Sequence, residues 1–78
     1  MPEFGGRHFQ TVRGSDVIRD GMYLELIEGS DEMVALAEIF FSDETEDFVF
    51  NTFGNDLPLE AVEWLIAEAR VLLPPTRS

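Results

Sequence analysis

Apolar and polar residues trade places at every second position in several short runs of this chain, and at every third or fourth position in one longer run. In MYLELI (22–27), Met22, Leu24 and Leu26 fall on one parity and Tyr23, Glu25 and Ile27 on the other, the period of a strand. Asp20-Gly21 ahead of it is hairpin-turn chemistry, and Gly29-Ser30-Asp31 closes it. Upstream, His8 to Val12 alternates weakly and predicts a first strand. Arg13-Gly14-Ser15-Asp16 then reads as a turn and Val17-Ile18 as a short extended piece.

MVALAEIFF (33–41) fits two periods. A helix would gather Met33, Leu36, Ala37, Phe40 and Phe41 on one stripe; a strand would divide the run into odd and even faces. Turn residues on both sides and the Ile-Phe-Phe ending favour the strand. DFVFNTF (47–53) alternates again, and Gly54-Asn55-Asp56 breaks it. Residues 58–73 carry Val62, Leu65, Ile66, Ala69, Leu72 and Leu73 at helical spacing. Pro58, Glu60 and Glu63 suit the start of that helix, Arg70 suits its end, and Pro74-Pro75 stop it.

Together these elements predict an α+β domain: an antiparallel meander of three to four strands with one C-terminal amphipathic helix packed on one face. The expected organisation is a flexible arm over 1–7, a single domain over 8–73 and a frayed tail over 74–78. Met22, Leu24, Leu26, Met33, Ala35, Ala37, Ile39, Phe41, Phe48 and Phe50 form an uncharged face for the helix to cover. The opposite face would display Tyr23, Ile27, Val34, Leu36, Phe40, Val49 and Phe53 around Glu25, Glu38 and Asn51. One helix covers only one side of a sheet, so these apolar residues are the candidate interface for a second copy or another protein.

Charge sharpens that expectation. Sixteen Asp or Glu stand against five Arg, with no Lys, giving a net charge of −11 over 78 residues. Such a body repels nucleic-acid backbones and anionic membrane surfaces and attracts basic proteins. No apolar run reaches the roughly 18–20 residues of a membrane span. The N-terminus lacks a basic start followed by an apolar stretch, and cysteine is absent, so a cytoplasmic setting is expected. The use of Arg to the exclusion of Lys suggests a GC-rich bacterial genome.

Candidate chemistry is sparse. SDETED (42–47) places Asp43, Glu44, Glu46 and Asp47 between two aromatic runs. Asp43, Thr45 and Asp47 have the alternation of a calcium loop. However, Phe48 stands where that loop requires Gly, and Gly54 where it requires Glu. A hairpin loop, or an acidic docking loop for an Arg-rich partner, suits the segment better. His8 is the one histidine. An enzyme would have to combine it with Glu25 and Glu38 in a dimer cleft. No phosphate-cradling loop is present, and no cofactor or metal is expected. The leading expectation is a small acidic protein-binding module without catalysis, homodimeric. One concrete version of it is an inhibitor, antitoxin or immunity-type partner of a basic protein. The alternatives are the carboxylate enzyme and a structural assembly subunit.

Overall fold

A computed structural model of the chain describes residues 2–31 and 33–73. It forms a five-stranded antiparallel sheet, β1 (Glu3–Phe4), β2 (Arg7–Asp16), β3 (Gly21–Glu28), β4 (Ala37–Ser42) and β5 (Phe48–Thr52), followed by helix α1 (Leu59–Leu72). The strands lie in sequence order, each paired with its neighbour in the chain. The α+β meander predicted from periodicity is therefore present, with one strand more than the upper expectation.

The extra strand comes from the segment expected to be a loose arm. Gly5 and Gly6 both have positive φ, 59° and 76°, which lets two residues reverse the chain between Phe4 and Arg7. Phe4 packs 6.3 Å from both Phe9 and Trp64, and Pro2 O accepts a hydrogen bond from Phe9 N at 3.0 Å. Met1 and the tail over 74–78 lie outside the described residues.

Two boundaries differ from the sequence reading. Arg13-Gly14-Ser15-Asp16 continues β2, pairing with Leu24, Tyr23, Met22 and Gly21, and the turn falls one step later, on residues 17–20. Gly14 sits in a strand because the Tyr23 ring lies across it: a Cβ there would stand 2.3 Å from the phenol oxygen. The strand expected from Met33 starts only at Ala37. Asp31 Oδ1 accepts from Met33 N at 3.1 Å and holds a turn, which leaves Met33 and Val34 exposed.

The core lies between the sheet and α1. Phe9, Leu24, Leu26, Leu36, Ala37, Ile39 and Phe41 meet Ala61, Leu65, Ala69 and Leu73, all buried. Ala37 and the alanines of α1 keep side chains short where helix and sheet approach. The helical stripe is turned from the expected one: Ala61, Leu65 and Ala69 face the core, while Ile66 is exposed and Val62 half-buried. Pro58 is the N-cap, its carbonyl accepting from Ala61 N at 3.0 Å and Val62 N at 3.3 Å. At the other end, Arg13 Nη1 donates to Leu72 O at 3.2 Å, a cation against the negative end of the helix. Because α1 lies chiefly over β2, β3 and β4, it meets the outer strand β5 only at its margin, where the Arg70 guanidinium lies 5.7 Å from the centre of the Phe48 ring. Phe48 and Phe50, expected beneath the helix, are therefore partly exposed.

Candidate functional site

Two loops share one end of the sheet. The β2–β3 turn (17–20) and the β4–β5 loop (43–47) are joined by a hydrogen bond from Asp43 N to Asp20 O at 3.0 Å. Asp16 organises the first: its Oδ1 accepts from Ile18 N and Arg19 N, both at 3.1 Å, the side-chain-to-backbone pattern typical of Asp in turns. Arg19 then folds back over the sheet. It donates to Asp16 Oδ2 at 2.5 Å and to both Glu38 oxygens at 3.1 and 2.8 Å, and its guanidinium lies 4.1 Å from the centre of the Phe40 ring. The paired carboxylates raise the Arg19 pKa, and Arg19 in turn lowers that of Asp16.

The consequence is an unusual tip. Val17 and Ile18 project at 90% and 93% exposure from a turn whose backbone is braced on both sides. Turns normally carry residues that solvate well or relieve backbone strain. Here two β-branched aliphatics occupy the apex, with Asp16 at the end of β2 and Asp20, Asp43, Glu44, Glu46 and Asp47 in the two joined loops. The acidic loop satisfies much of its backbone internally. Ser42 N donates to Asp47 O at 3.1 Å, Glu46 N to Ser42 O at 2.7 Å, and Thr45 N to Ser42 Oγ at 3.2 Å. Its carboxylate-bearing residues are exposed.

The candidate interface residues do not share one open face. Ile27 and Phe40 are buried within the chain itself, Phe40 beneath Arg19 and against Gly21, where a Cβ would stand 2.5 Å from its ring. Leu36 lies in the helix-side core, and Tyr23 is half-buried over Gly14. Only Val34, Val49 and Phe53 are exposed, and Val34 is outside the sheet. Much of the second face is thus sealed by the Arg19 turn and by glycines that let aromatic rings lie flat. Sequence periodicity missed the Arg19–Glu38 bridge because its partners are nineteen positions apart.

Glu25 and Glu38 stand directly opposite each other on β3 and β4. Burial, followed by the Glu38 charge, raises the Glu25 pKa, with Arg19 partly offsetting. His8 pairs with Glu3 at 3.2 Å and lies four residues along β2 from Val12, the residue opposite Glu25, or about 13 Å at strand spacing. The geometry therefore does not bring His8 to the two glutamates within one chain. Among the described residues, no group of three or more His, Asp or Glu is arranged to hold a metal, and no helix is long and apolar enough to cross a membrane. No protein-family model, curated protein or solved structure matches the chain.

Proposed function

We propose that the protein is a small, non-enzymatic protein-binding module, acting in the cytoplasm on a basic protein as an inhibitor, antitoxin or immunity-type partner would. The single observation that supports this most is the Val17-Ile18 tip, an exposed aliphatic pair on a braced turn beside the acidic loop. Exposing these side chains contributes nothing to the fold, and a turn of this geometry is available to polar residues. Docked in an apolar pocket, each would add about 1.5–3 kcal/mol. Carboxylates around that anchor would steer a cationic partner and reject acidic ones. Because Asp16 and Arg19 hold the backbone in place beforehand, little ordering cost remains at binding.

The test compares capture from native lysate by the wild-type chain and by a Val17→Ser/Ile18→Ser variant, at low and high salt. A basic protein retained at low salt, weakened by salt and bound about 100-fold less tightly by the variant is the expected outcome. No retained protein at any salt, or equal retention by the variant, would refute the reading.

A further inference from the structure

We infer that β5 is a pairing edge for a second copy of this chain, with a two-fold axis at Phe50. The hydrogen bonds at the two ends of β5 fix which way its peptide groups point. Ser42 N donates to Asp47 O at 3.1 Å, and Phe53 N donates to Leu36 O at 3.2 Å. With the register Phe40↔Val49 and Glu38↔Asn51, the odd-numbered residues of β5 turn their N–H and C=O toward β4. The peptide groups of Phe48, Phe50 and Thr52 therefore point outward, along an edge that no other strand among the described residues covers.

This edge lacks the usual protections. From Phe48 to Phe53 there is no charge and no proline, and β5 is described as regular strand throughout. The rest of the outer boundary differs: β1 has only two residues, and the outer side of β2 carries Arg13, Ser15 and Asp16. Beside β5, the side chains of Ile39, Phe48, Val49, Phe50, Ile66 and Arg70 line an open groove of about 160 Å³.

A second copy fits because the edge is complementary to itself. Antiparallel pairing centred on Phe50 sets Phe50 against Phe50 of the second copy, and Phe48 against its Thr52. All three are outward-pointing residues, so every free peptide group of the strand finds a partner. Phe48 and Phe50 share the helix side of the sheet, where the two grooves would meet and bury each other's rings. Phe50 is 46% and Phe53 52% exposed; with Phe48, Val49 and Ile66 they offer roughly 400 Å² of apolar surface per copy. Together with the strand backbones, that reaches the lower range of specific interfaces, the size class of weak and transient pairs. Charge does not forbid it. The two Asp47 residues would lie six strand positions apart, about 20 Å, well beyond the screening length of about 8 Å at physiological salt.

This surface is separate from the Val17-Ile18 tip, and salt distinguishes the two. Added salt weakens binding of a basic partner but tightens pairing between two copies that each carry −11. Sedimentation equilibrium of the full chain from about 1 μM to about 1 mM should show a monomer–dimer transition that shifts to lower concentration as salt rises. Phe50→Lys, which sets two cations face to face at the axis, should raise the dissociation constant at least about 30-fold while circular dichroism stays unchanged. Phe48→Lys should weaken the dimer, and adding Thr52→Glu to it should restore pairing, because those positions meet only between copies. A monomer at every concentration, or a dimer indifferent to both lysine variants, would overturn the inference. So would a failure of the second substitution to rescue the first.

Discussion

Replacing Arg19 with Met keeps an unbranched stem over Phe40 and removes the charge. Glu38 is 7% exposed, and in the variant its carboxylate would remain buried beside Glu25 with neither of its two guanidinium bonds. Removing one partner of a fully buried pair costs about 3–5 kcal/mol. Arg19 itself is only half withdrawn from water, so about 2 kcal/mol suits this site. Losing the cation from the Phe40 face, 4.1 Å away, adds about 1 kcal/mol. The total of about 3 kcal/mol is a large share of the roughly 4–12 kcal/mol expected for a domain of this size. Thermal unfolding followed by circular dichroism at pH 7 should register a Tm lower by about 15 °C. Most of that loss comes from a stranded charge, so Glu38→Gln added to Arg19→Met should recover part of it, although Glu38→Gln alone is destabilising. A Tm change below about 5 °C, or simple additivity of the two substitutions, would refute the reasoning.

Other outcomes follow from single contacts. Glu25→Gln should raise Tm at pH 7: an acid whose folded pKa is raised loses stability as pH climbs from its ordinary value through the raised one, so the gain should vanish at more acidic pH. Gly21→Ala would bring a Cβ within 2.1 Å of the Phe41 carbonyl and should cost about 3 kcal/mol in urea unfolding. Gly14→Ala meets only the Tyr23 side chain and should cost about 1–2 kcal/mol. Leu65→Ala, at a fully buried position facing the sheet, should cost about 3–4 kcal/mol by the same assay. Salt should raise Tm modestly by relieving repulsion in the Ser42–Asp47 loop, and a flat response would show that those carboxylates are not in conflict.

The meander and its helix were legible because their periods run unbroken where packing demands them. In MYLELI the helix-side residues are Met22, Leu24 and Leu26, and the last two are fully buried. The boundaries were hidden where one residue answers to something distant in the chain. Gly14 carries the signature of a turn but serves the ring of Tyr23. Val17 and Ile18 carry the signature of a strand but sit on a turn that the Asp16 and Arg19 contacts create. Met33 to Leu36 have strand composition, but the last β3–β4 pair is Leu26 with Ala37. The acidic loop was visible in the sequence, whereas its neighbour at the tip was not. Likewise the Phe48–Thr52 strand was expected, but its place at the rim follows from the order of strands and the lie of the helix.

Since every strand bonds to the one made just before it, the sheet has all its pairings in hand before α1 is synthesised. Ala61, Leu65, Ala69 and Leu73 arrive last, and until they do, Leu24, Leu26, Ile39 and Phe41 have no lid. A chain ending early, anywhere within α1, would be a complete sheet with a bare oily side and an open rim, a species made to clump. The closing turns of α1, which bring Ala69 and Leu73 onto the sheet, are thus what complete its cover.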